Sequence, residues 1–108
     1  MEDYFYGKKA IEKAAKMFAL KPEIMKAFLD FDGKVFAEGS LNVKTKELIA
    51  VACAHITQCP YCIEGHAKRA KKAGATPEEI AEAIFVAVAM RAGGSMAHSS
   101  IAMGALEE

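Results

Sequence analysis

Residues 84–90, Ile-Phe-Val-Ala-Val-Ala-Met, are apolar on every side of any helix that contains them. A helix start signal stands just upstream at Thr76-Pro77-Glu78-Glu79. Threonine caps, proline fits the first helical position, and Glu79 completes a capping box. A helix apolar all round needs cover on all sides, and a chain of 108 residues has little to spare for the purpose. Other copies of the chain are the simplest cover, so the sequence points to a homo-oligomer.

The rest of the chain is equally helical in character. Alanine, lysine, glutamate, leucine and methionine dominate, while sustained period-two alternation is missing. Ile11, Ala14, Ala15, Phe18 and Ala19 place one apolar stripe on a helix over residues 7–20. Pro22 opens a second helix that runs to about Glu38, with Gly33 expected to loosen its middle. A third runs from about Asn42 to Thr57. It is apolar on almost every face between residues 48 and 56, which suits a central helix. The fourth starts at Cys59-Pro60-Tyr61-Cys62 and stops at Gly74, with Lys68, Arg69, Lys71 and Lys72 near its negative end. The fifth follows Thr76, and Gly93-Gly94 is expected to break it before a last helix over residues 96–106. The expectation is an all-α, single-domain bundle of five or six helices over residues 1–108, with the methionines as core filler.

Lysine plus arginine equals aspartate plus glutamate at fourteen each, so no basic surplus exists to neutralise phosphates. Nucleic acid is not an expected partner. The longest apolar runs, residues 48–56 and 83–90, are too short for a bilayer span, and residues 1–6 lack the marks of a secretory signal. The expected location is the cytoplasm, where three cysteines stay as thiols. Cys53, inside an apolar run, reads as a small core hydrophobe.

The chemistry concentrates at Cys59-x-x-Cys62. Cys59 falls near a helix N-cap and Cys62 in the first turn, where free backbone N–H groups and the helix dipole favour negative charge. A thiolate, the reactive form, is easier to make there, and the spacing allows a disulfide to close. His66 lies four residues after Cys62, on the same helical face. Glu47, twelve residues before Cys59, returns toward His66 if the two helices form an antiparallel hairpin, which sets it nearest Arg69.

The pattern Glu47-(x)11-Cys59-x-x-Cys62-x-x-x-His66, followed by Ala70, Gly74 and Pro77-Glu78-Glu79-Ile80, resembles the AhpD-like group of the carboxymuconolactone decarboxylase superfamily. The resemblance covers about residues 40–92. It implies an all-helical oligomer, a trimer or hexamer, that reduces hydroperoxides with electrons from a thiol reductant or adaptor protein and needs no cofactor. On this chain it makes Cys62 the attacking thiolate and Cys59 the resolving thiol. His66 and Glu47 become the proton relay. Tyr61 stands where the best-known peroxidases of the group carry histidine.

Other readings compete. His55, Cys59, Cys62 and His66 supply four zinc-ligand types, but gathering them around one ion distorts both helix ends, so no metal is expected. His55 and His98 read as structural, Tyr61 as packing against the cysteines, and the aromatic start Tyr4-Phe5-Tyr6 as interface. Rival functions are general thiol–disulfide exchange, a lyase using only His66 and Glu47, and a non-catalytic assembly protein.

Overall fold

The computed structural model describes residues 6–108, and among these it holds five α-helices and no strand. They are α1 (Ala10–Leu20), α2 (Pro22–Phe36), α3 (Val43–Thr57), α4 (Pro60–Lys72) and α5 (Pro77–Ala105). The all-α expectation holds. Two compact units divide the chain, residues 1–43 and 44–108.

In the first unit α1 and α2 meet at Lys21, whose φ of −137° and ψ of 67° interrupt the helix for one residue. Pro22 fits the first turn of α2 because its missing N–H has no partner there in any helix. Gly33 does not loosen α2, which continues through it to Phe36. Met17, Phe18, Lys21, Ile24, Met25 and Phe28 line an open apolar hollow between the two helices. Of the proposed aromatic start, Tyr4 and Phe5 lie outside the described residues, and Tyr6 is exposed.

The second unit carries the motif. Val51 and Ala70 are fully buried and, with Ala75, form a core against which Leu48, Ala67, Ile80 and Ile84 pack. On α3 the buried residues are Glu47, Val51 and Ala54, spaced so that they share one stripe. Ile49, Cys53 and Ile56 of the apolar run are exposed, so α3 is not buried on all sides within one chain. Cys53, expected in the core, is exposed because it falls off that stripe.

Both helix ends flanking the motif use the same stop. After α4, Gly74 adopts φ +100°, and Ala75 N–H bonds Ala70 O at 2.9 Å while Gly74 N–H bonds Lys71 O at 3.0 Å. This is the Schellman arrangement, in which a left-handed residue turns the chain back over the last carbonyls. After α3, Gln58 takes the left-handed position with φ 57°, and Cys59 N–H reaches back to Ala54 O at 3.2 Å. Glutamine pays a steric penalty there that glycine does not.

α5 corrects two expectations. It runs unbroken through Gly93-Gly94, because glycine weakens a helix interior without forbidding it. The continuous helix of 29 residues is therefore long and apolar enough to cross a membrane, which the separate runs are not. Its side toward the core is Ile80, Ile84 and Ala87. Phe85, Val86, Val88, Met90, Met96, Ile101 and Met103 are exposed within one chain. Met17 is exposed too, so these methionines do not fill the core of a single chain. The start of α5 is as the sequence suggested. Thr76 Oγ1 accepts from Glu79 N–H at 3.1 Å, and Glu79 accepts from Thr76 N–H at 2.9 Å. Those bonds, then Lys44 at 2.9 Å, hold the Glu79 carboxyl below its usual value.

Two opposed substitutions test these helix ends. Thr76→Ala should cost about 1 kcal/mol in urea unfolding at fixed protein concentration. Gln58→Gly should gain up to about 1 kcal/mol in the same measurement by relieving the left-handed residue.

Candidate functional site

The turn at Gln58 delivers Cys59 to the N-cap of α4 in extended conformation, φ −103° and ψ 103°. Its sulfur accepts the backbone N–H of Cys62 at 3.3 Å, taking the part that a serine or aspartate oxygen plays in other helices. Cys62 is thus the third helical residue, and its own sulfur lies 2.7 Å from that of Cys59 with both cysteines free. The two sulfurs are within hydrogen-bonding contact. The Cys62 thiol and then the Cys62 N–H donate to Cys59 and hold it below the 9.0 of an ordinary thiol. The same interaction pushes Cys62 above that value, as does its burial, while the Arg69 cation pulls it back down.

The second pair joins two helices. Glu47 is 3% exposed on the inward stripe of α3. Its Oε1 lies 2.6 Å from His66 Nδ1 on α4. A carboxylate oxygen accepts, so Nδ1 carries the hydrogen and Nε2 keeps the lone pair. The other oxygen, Oε2, lies 3.7 Å from Arg69 Nε. Hairpin pairing set Glu47 opposite Arg69, and the structure places it against both Arg69 and His66.

The four expected site residues therefore fall into two contacting pairs, Cys59 with Cys62 and Glu47 with His66. The pairs are linked through α4, where Cys62 and His66 lie four residues apart on one face. Of the proposed zinc set, His55 Nδ1 instead contacts Val51 O at 2.8 Å within its own helix. No group of three or more His, Cys, Asp or Glu is placed to hold a metal among the described residues. Tyr61 and His98 are exposed. Sequence reasoning read Arg69 as a cation at the end of α4 and as the position opposite Glu47, and gave it no part in the site. Its spacing of three from His66 and seven from Cys62 was the available signal.

Residues 22–105 match the model of the carboxymuconolactone decarboxylase family. The chain belongs to that family. A Paracoccus denitrificans relative, named as uncharacterized protein 4 in the cox locus, is 57% identical over 82 residues, 76% of this chain and 74% of its own. Among solved structures, a Methanobacterium thermoautotrophicum protein superposes with a TM-score of 0.75 at 39% identity, covering 79% of this chain and 96% of its own. A family member from Legionella pneumophila gives 0.72 at 39% identity over 94% and 90% of the two chains. A Thermotoga maritima member, for which involvement in an antioxidative response has been suggested, gives 0.59 at 37% identity over 77% and 86%.

The contact between the two sulfurs has a measurable signature. Alkylation of Cys59 in the reduced protein should reach half its maximal rate below pH 9.0. Cys62→Ala removes both the S–H donor and its charge, so the midpoint should rise toward that of a free thiol. Cys62→Ser, which keeps a hydroxyl donor, should fall between. An unchanged midpoint in Cys62→Ala, read by mass spectrometry against pH, would contradict the influence of Cys62 on Cys59.

Proposed function

We propose that this family member is a thiol-dependent peroxidase that reduces hydroperoxides through a dithiol–disulfide cycle at Cys59 and Cys62. The observation that carries the reading is the Glu47–His66 contact of 2.6 Å one helical turn from Cys62. Glu47 orients the imidazole as the carboxylate of a catalytic triad does, so that Nε2 can take a proton from a nucleophile. His66 removes the Cys62 proton. The Cys62 thiolate attacks the outer peroxide oxygen, the O–O bond breaks, and a sulfenic acid forms. The departing alkoxide takes the proton held by His66 and leaves as an alcohol. The Cys59 thiolate then attacks the sulfenic sulfur, an S–S bond forms as the S–O bond breaks, and the departing hydroxide takes a proton from solvent and leaves as water. An external thiol or dithiol, small or borne by an adaptor protein, returns the two electrons. The cycle needs no metal or cofactor, and a reducing cytoplasm supplies its electrons.

A second reading rests on the lowered Cys59 thiol. Charge held on Cys59 favours thiol–disulfide exchange with Cys59 as the attacking group. The two readings differ in which sulfur first meets the oxidant. In the peroxidase, Cys62→Ser should abolish peroxide consumption, and Cys59→Ser should allow one turnover and trap a sulfenic acid at Cys62. Glu47→Ala and His66→Ala should each slow consumption by about tenfold or more, with the double variant little worse than either. Equal trapping at Cys59 in Cys62→Ser overturns the assignment of roles. Disulfide exchange without any peroxide consumption favours the second reading.

The working unit we propose is a homo-oligomer, trimeric or hexameric, in which other copies cover the outward face of α5. Phe85, Val86, Met90 and Met96, each at least 59% exposed in one chain, are too much contiguous apolar surface for a stable monomer. Arg91 supports cover by protein over a bilayer, because its Nη1 donates to Ile56 O at 2.9 Å and fixes a cation midway along the helix. Light scattering in detergent-free buffer should give a mass of at least three chains, and Phe85→Glu should lower it. A monodisperse folded monomer would refute this assembly.

A further inference from the structure

Arg69 touches every part of the site that the cysteines do not. Its Nη2 lies 3.3 Å from His66 Nδ1 and 3.4 Å from Nε2. Near-equal distances to both ring nitrogens place Nη2 over the face of the ring, since a hydrogen bond to Nε2 alone would lie in the ring plane and away from Nδ1. Its Nε faces the Glu47 oxygen that His66 does not use. Its charge acts on the Cys62 sulfur two turns back along α4. The side chain is therefore folded toward the N-terminus of its helix.

Gly65 makes room for this. A Cβ at residue 65 would lie 3.3 Å from Arg69 Nη2, 3.6 Å from Nη1 and 3.7 Å from Cζ. Those are the three nearest atoms, so the guanidinium lies over the bare face of the glycine. Glycine inside a helix costs about 1 kcal/mol relative to alanine, and α4 carries it one turn before the arginine. Stability does not explain the arrangement. The Arg69 side chain is 57% exposed and its distance to Glu47 is 3.7 Å, which makes their ion pair a weak one.

We propose that Gly65 and Arg69 act together as a positioning device: the glycine leaves a bed in which the guanidinium lies, bracing Glu47 and His66 one helical turn from Cys62. Arg69 is a positioning residue, acting through its neighbours. The charged and titratable groups around it are Glu47 from α3 and Cys62, His66, Glu64 and Lys68 on α4, the last two engaged with each other at 3.3 Å on the exposed side. The inference deepens the peroxidase reading and rests on it only for the effect on turnover.

The test uses the full chain carrying Cys53→Ser and Cys59→Ser, so that alkylation reads Cys62 alone. Arg69→Met, which keeps the length and removes the charge, should raise the midpoint pH of Cys62 alkylation by roughly half to one pH unit. Arg69→Lys restores charge without the plane and should recover part of it. Gly65→Val leaves Arg69 in place but fills its bed, and valine is a better helix former than glycine. It should raise the midpoint in the same direction while urea unfolding shows the chain no less stable. Gly65→Ala, whose Cβ asks the guanidinium to move only a few tenths of an ångström, should shift it less. A merely structural role would change stability and leave the midpoint still. An unmoved midpoint in both Arg69→Met and Gly65→Val overturns the proposal. Because alkylation needs no peroxide, a wild-type protein inactive toward peroxides would defeat the functional reading and leave this result standing.

Discussion

A carboxylate inside a small helical core has to find donors, and Glu47 organises the second unit by that need. A buried carboxyl left without partners costs several times what a surface ion pair returns. The stripe that buries Val51 and Ala54 buries Glu47 with them, so α4 must present His66 and Arg69 at one level along α3. That requirement fixes the register of the two helices. The register in turn sets where Cys59 leaves the turn and where the first turn of α4 begins. Apolar packing alone, with alanine at several core positions, would leave more freedom to slide.

The motif and the core thus depend on each other. The left-handed stop at Gln58 closes α3 and aims Cys59 at the cap. The cap ties Cys62 to Cys59, and the opposite end of α4 is closed by Gly74 with Ala75 tucked into the core. A short helix held at both ends and clamped in its middle keeps four reactive side chains in place with few buried residues. Membership in the carboxymuconolactone decarboxylase family fits this economy.

Much of this was legible in the chain. Capping chemistry at Thr76-Pro77, proline at 22 and 60, and glycine at 74 mark helix ends by local physics, and those ends stand where the residues put them. The placement of Cys59 and Cys62 at a helix start follows from the same rules. Burial was less readable. Residues 48–56 look apolar all round, yet only one stripe turns inward, because hydrophobicity names what can be buried and not which neighbour arrives. Cys53 and the methionines were misplaced for that reason. The glycines at 93 and 94 misled in the other direction, since a helix-weakening residue stops a helix only when something better competes. The part of Arg69 in the site escaped notice because it depends on a fold-back over Gly65, a three-dimensional fact with no period in the sequence.

The cysteine cap has a consequence for the helix it starts. Oxygen caps are chemically inert, but here the atom that receives the Cys62 N–H is also an atom that changes bonding during the proposed cycle. Drawn into a disulfide, the Cys59 sulfur loses its negative charge and becomes a poorer acceptor, just as a covalent tether replaces the contact between the two residues. The first turn of α4 is thus fastened by electrostatics in one redox state and by a covalent bond in the other. A partner that reads the surface at Pro60 and Tyr61 meets a backbone whose local fraying records whether the pair has yet been discharged.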